Sequence, residues 1–186
     1  MILTRNLGIF LFLLVTSVVL FGGCACVRHR SYVGDTIRDS VMFRHWDSDF
    51  VEGLNKSERA VVYKLSPLAD SVAGSVDVSI AGFRVIGKPY SLSLGQLSVL
   101  RFILGNEKFY ANEALAVKTL FAPYLAMEVD GGNGKMYLLF AFNTSELALV
   151  KDGKIVQKRA CARNDLLVQF GLDLFPNDEY LISINK

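Results

Sequence analysis

The stretch that most narrows the possible folds is 124–160, where apolar runs and turn signals alternate twice over. Tyr124 to Val129 and Met136 to Phe142 flank the link Asp130-Gly-Gly-Asn-Gly-Lys135, and Leu147 to Val150 and Ile155 to Lys158 flank Lys151-Asp152-Gly153-Lys154. Short apolar runs joined by glycine- and asparagine-rich links are the pattern of β-hairpins. Asp-Gly at the centre of the second link suits a type I′ turn, which needs positive φ at both residues. With Asn143-Thr144-Ser145 as the corner between them, the two hairpins make a four-stranded antiparallel meander. Met136 to Phe142 is apolar at successive positions, so both its faces are expected to be covered and the strand to lie centrally. The first link carries a single carboxylate, Asp130, whereas calcium needs several oxygens; it reads as a turn.

Helical signals bracket the meander. Ser93 followed by Gln96 is a capping box. Leu94, Leu97, Leu100, Phe102, Ile103 and Leu104 then supply an apolar face, Gly105-Asn106 a C-cap, and Gln96 and Arg101 the wet side, which predicts a helix over 93–104. A second helix starts at Asn164 or Asp165 as cap, presents Leu166, Leu167, Phe170, Leu174 and Phe175, and ends at Pro176. Ahead of the first helix, the run AVVYKL in 57–65 predicts a strand stopped by Ser66-Pro67. Val76, Val78 and Ile80 alternate with polar or small residues as in a half-buried strand, continued by Phe83 and Val85 past a bulge or bend at Gly82. Residues 112–117 read as a short helix or a loop, and Glu179 to Ile184 as an edge strand. The expected class is α+β: an antiparallel, hairpin-rich meander packed with two amphipathic helices, in a single domain spanning 55–186.

The amino-terminal part is of another kind. Arg5 precedes the apolar block Leu7 to Cys24, LGIFLFLLVTSVVLFGGC, no acidic residue occurs before Asp35, and Arg28-His29-Arg30 follows. A basic start, an apolar middle and small residues before a cut site are the parts of an export signal. Phe21, Gly22, Gly23 and Cys24 resemble the lipobox of bacterial lipoproteins, in which an aliphatic residue and two small ones precede the lipidated cysteine. The resemblance implies cleavage between Gly23 and Cys24, diacylglycerol on the Cys24 sulfur and acylation of the new amino group. It also implies a chain held at the membrane of the cell envelope, and Ala25 in place of aspartate points to the outer membrane. Two other readings stay open: a retained signal anchor, and an ordinary signal peptide cut near Ala25. Residues 24–54, rich in charge and hydroxyls, read as a polar tether, with Trp46, Phe50, Val51 and Leu54 beginning the fold at its end. Within the domain, 93–176 is similar to small uncharacterised bacterial proteins that share a Leu-rich helix, an F-x-P break (Phe121, Pro123) and an apolar hairpin (Leu138 to Phe142). That likeness implies no activity.

Several function classes find little support. The chain has 20 Lys and Arg against 18 Asp and Glu, and loss of Arg5 with the signal brings it closer still to neutral. Nucleic acid needs clustered cations, and the one local cluster, Lys154, Lys158, Arg159 and Arg163, reads as a solvated edge. Gly82 to Lys88 has the spacing of a phosphate-binding loop, but Pro89 stands where a magnesium-holding hydroxyl belongs and Phe83 to Ile86 are bulky and strand-like. The histidines, His29 and His45, fall in the leader, and Cys26 and Cys161 offer no metal framework; no cofactor is implied. Cys161 reads as a small buried hydrophobe. A hydrolase would have to rest on a pair of carboxylates among Glu128, Asp130, Glu146 and Asp165. The leading expectation is a non-catalytic, membrane-anchored lipoprotein acting by contact with a protein or envelope partner. A small-ligand-binding lipoprotein is the alternative, and a carboxylate hydrolase of the envelope comes third.

Overall fold

Strand pairing follows the turn chemistry, and the helices take the one sheet face broad enough to cover them. The computed structural model describes residues 33–69, 78–111, 120–132 and 134–185, one folded unit from Val33 onward. In chain order its elements are α1 (Val33–His45), α2 (Ser48–Lys56), β1 (Val61–Ala69), β2 (Ser79–Ile80), β3 (Phe83–Ser91) and α3 (Leu94–Leu104). A 3-10 turn (Glu107–Phe109) leads on to β4 (Leu125–Gly131), β5 (Gly134–Ala141), β6 (Glu146–Lys151), β7 (Lys154–Ala160), α4 (Asn164–Leu174) and α5 (Glu179–Ile184). The strands form one curled antiparallel sheet in the order β2-β3-β1-β4-β5-β6-β7, so the class is α+β. The meander is present as β4 to β7, with β5 paired on both sides. Asp152 and Gly153 have φ of +53° and +72°, as the Asp-Gly turn requires.

Side chains alternate between the two faces of the sheet. Leu125, Met127, Val129, Met136, Leu138, Phe140, Leu147 and Leu149 point to the helical layer and form the main core with it. Ala126, Leu139, Ala148 and Val150 point the other way and pack with Leu65 and Ile80 in a second, smaller cluster edged by Phe83, Val85 and Phe121.

Several expectations are corrected. Residues 33–54, read as part of a polar tether in which only Trp46, Phe50, Val51 and Leu54 begin the fold, belong to the fold throughout as α1 and most of α2, because each helix buries one stripe and leaves its charges outside. Val41, Met42, Trp46, Phe50, Val51 and Leu54 are buried, and Asp47 caps α2 by accepting from the Asp49 and Phe50 amides at 2.9 and 3.4 Å. The anticipated continuous strand through Gly82 is a hairpin: Ala81 and Gly82, both at positive φ, form a two-residue turn between β2 and β3. Pro67 does not end β1, which runs on to Ala69 through an irregular register opposite β3. Glu179 to Ile184 is a helix, not an edge strand, capped by Asp178, whose side chain accepts from the Leu181 amide. Neither Asn164 nor Asp165 caps α4: Asn164 donates to the Phe142 carbonyl and Asp165 pairs with Arg163. The leader, Cys24 and residues 112–117 lie outside the described residues.

Helix α3 forms with its capping box intact, Ser93 Oγ accepting from the Gln96 amide at 3.2 Å and Gln96 Oε1 from the Ser93 amide at 2.9 Å. Leu97, Leu100, Ile103 and Leu104 are buried as expected, but the wet side is not purely solvent-facing. Gln96 donates to the Tyr90 hydroxyl, and Arg101 turns inward to donate to the Leu54 and Ser57 carbonyls at the end of α2. Leu94 and Phe102, expected in the core, stand in solvent at 61% and 59% exposure.

Candidate functional site

On the helical face, the polar groups that converge come from three distant parts of the chain. Lys64 follows Val62 by two positions on β1 and so points to the same side, where α5 begins. Its ammonium pairs with Asp178, the residue that caps α5. Tyr124, just before β4, donates its hydroxyl to the same carboxylate at 2.7 Å, while the Leu181 amide donates to the other oxygen at 3.1 Å. Burial alone would push the Asp178 carboxyl up, but the Lys64 and Tyr124 hydrogen bonds hold it below the ordinary aspartate value. The Tyr124 hydroxyl is pushed well above the ordinary tyrosine value, first by burial and then by its carboxylate partner.

These residues border an open groove of about 670 Å³, walled by Tyr124, Phe175, Pro176 and Tyr180 with Lys64 and Asp178 at its floor. The Tyr124 and Tyr180 rings lie 4.4 Å apart between centroids, and the Lys64 ammonium sits 4.4 Å from the centre of the Phe175 ring. The groove therefore offers aromatic walls to a flat or apolar group. The Lys64–Asp178 pair is already engaged: Asp178 is at once helix cap, ion-pair partner and acceptor, and ties α5 to the sheet.

The reverse face carries a second closed polar cluster. Glu128 on β4 accepts from the Tyr63 hydroxyl at 3.0 Å and pairs with Lys135 at 2.7 Å, and the Tyr63 and Tyr137 rings meet edge to face. Burial opposes the Glu128 charge, yet the lysine and the tyrosine hydroxyls keep this carboxyl below the ordinary glutamate value.

The carboxylates considered for hydrolysis are thus used separately. Glu128 is neutralised by Lys135 and Asp165 by Arg163, Glu146 begins β6, and Asp130 borders a different recess beside Lys56 and Arg59. The basic cluster is also dispersed, with Lys158 4.0 Å over the Phe121 ring and Arg159 donating to the His45 carbonyl. Trp46 is a core residue whose indole donates to the Tyr110 hydroxyl at 2.8 Å, and Tyr110 in turn donates to the Leu104 carbonyl. His45, expected in the leader, stacks on Tyr110 at 3.7 Å, and its ring also meets Glu107 at 3.2 Å. Cys161 is buried, which pushes its thiol up to about 12. Cys24 and Gly23 lie outside the described residues.

Sequence reasoning missed Lys64, Tyr124, Asp178 and Tyr180. One signal was available: Asp178-Glu179 shortly after Pro176 is a helix-start pattern. Among the described residues, several large apolar side chains stand exposed. Leu94, Val99 and Phe102 lie along the outside of α3, and Ile37 of α1 is 60% exposed; its neighbour Arg38 places its guanidinium 5.7 Å from the Phe102 ring centre. No family model, curated protein or solved structure matches the chain.

Proposed function

We propose that the chain is a bacterial lipoprotein, held in the cell envelope by lipid on Cys24, that works by surface contact and not by catalysis. The observation that carries the contact reading is the division of chemistry just described. The Lys64–Asp178 and Lys135–Glu128 charges are consumed in ties within the fold, whereas large apolar side chains of α3 are presented outward, as at interaction sites. The anchor reading is supported by Phe21-Gly22-Gly23-Cys24 at the end of the apolar block. A fatty-acid analogue fed to expressing cells is expected to label the chain, and Cys24→Ser to abolish the label; label that persists in the variant refutes the anchor.

Binding of a small molecule is a second reading, favoured by the volume and aromatic walls of the groove at α5. On that reading planar apolar compounds raise the melting temperature of the full chain, and Tyr180→Ala removes the increase. A Tyr180→Ala variant that responds to them as the wild type does would leave the groove without a role in binding.

A further inference from the structure

We propose that the outer face of α3, together with Ile37 of α1, rests on the lipid bilayer to which the chain is tethered. The proposal rests on the reading of Cys24 as a lipidated residue and names the surface that meets the membrane. The eleven-residue helix carries apolar residues on two sides, Leu97, Leu100, Ile103 and Leu104 inward and Leu94, Val99 and Phe102 outward. A helix with apolar residues on both sides calls for cover beyond the one stripe that an amphipathic surface helix buries. The sheet and the neighbouring helices supply one cover.

The tether points to the other. Nine peptide links separate Cys24 from Val33, where α1 begins. Fully extended they reach about 30 Å, so the start of α1 cannot leave the neighbourhood of the bilayer surface. Ile37 lies one turn further on, and Arg38 bridges from it to Phe102. The Arg38 guanidinium, beside the Phe102 ring, places a cation at the edge of the apolar face, an arrangement that anionic headgroups attract. Leu, Val and Phe at the boundary between headgroups and acyl chains, flanked by arginine, is how a helix lies in a membrane surface. Because the anchor already supplies a high local concentration, weak intrinsic affinity of the face suffices to orient the protein.

The test uses the full chain with Phe102→Trp, carried by vesicles of phosphatidylethanolamine and phosphatidylglycerol with or without bromine on the acyl chains. The native tryptophan, Trp46, is buried against Tyr110 and serves as the internal control. Brominated lipid is expected to reduce, at least twofold, the emission that F102W adds over the unsubstituted chain, and to change that of the unsubstituted chain little. Val99→Trp, at a second exposed position on the same face, is expected to behave alike and guards against a local packing fault. Unchanged emission from both variants in brominated vesicles overturns the proposal. So does a dimer whose emission ignores the lipid, which would assign the face to a second copy. Fatty-acid label on Cys24 is read in the same samples: label without quenching defeats the docking face and leaves the anchor, and quenching without label supports the face and defeats the anchor.

Discussion

Asp178 gathers more of the fold's polar interactions than any local pattern around it suggests. Its ion-pair partner Lys64 is 114 positions away and its hydroxyl partner Tyr124 is 54 away. Because its folded-state pKa lies below the unfolded value of about 3.9, its stabilisation is complete above that pH and is lost as the pH falls through the folded value. Asp178→Asn is expected to lower stability by about 2 kcal/mol at pH 7, the usual loss when a charged hydrogen-bond acceptor is removed from a partly buried pair. The gap between wild type and variant narrows below about pH 4. Urea unfolding at pH 7 and at pH 3 measures both, and an equal gap at the two would show that the carboxylate charge contributes nothing. Cys161 is the opposite case, a residue whose surroundings were legible because an isolated thiol amid apolar neighbours is most often core. Buried and with its thiol near 12, it is expected to react with iodoacetamide at pH 8 only as fast as the chain unfolds, measured in a Cys24→Ser, Cys26→Ser background. Rapid alkylation of the folded chain would contradict that burial.

Among elements, those closed by short-range chemistry were read well and those placed by long-range packing were not. The Asp152-Gly153 hairpin and the Ser93–Gln96 capping box need only neighbours within a few residues, and both form as their sequences indicate. The inner side of α3 was legible at Leu97, Leu100, Ile103 and Leu104, but not the exposure of Leu94 and Phe102, because apolar residues extend round the helix and only the position of the sheet decides where cover ends. Nor was the role of Arg101, whose partners are carbonyls more than 40 residues earlier at the end of α2. The seat of α2 on β4 is equally non-local. A methyl group on Gly53 would come within 2.6 Å of the Asp130 carbonyl oxygen, part of the β4 backbone that cannot swing aside. Gly53→Ala gains about 1 kcal/mol in helix propensity, but overpacking at a backbone contact costs about 1–3 kcal/mol. The variant is therefore expected to be less stable than wild type by about 1 kcal/mol, as a lower urea midpoint. A raised midpoint would mean that α2 can lift away from β4 at little cost.

At the scale of the whole molecule, the extent of the folded unit is what sequence reading most misjudged. The charges and hydroxyls of 33–54 made that segment look like a spacer, because two short helices that each bury a single stripe leave most of their residues polar. Six of the buried residues, Val41, Met42, Trp46, Phe50, Val51 and Leu54, belong to this segment. At about 1.5–3 kcal/mol for each large apolar side chain buried, α1 and α2 together contribute roughly 9–18 kcal/mol of gross burial. That matches or exceeds the net stability of an ordinary domain, about 5–15 kcal/mol. The sheet cannot replace this cover, since Met127 and Val129 on β4 face the helical layer and would be left to water. A fragment of residues 33–186 is therefore expected to melt in one cooperative transition, with near-ultraviolet circular dichroism showing Trp46 in a fixed environment. A fragment of residues 55–186 is expected to show no such transition and to bind a hydrophobic dye at room temperature. Cooperative melting of the shorter fragment would place α1 and α2 outside the unit that folds, and would return 33–54 to the role of a spacer ahead of the domain.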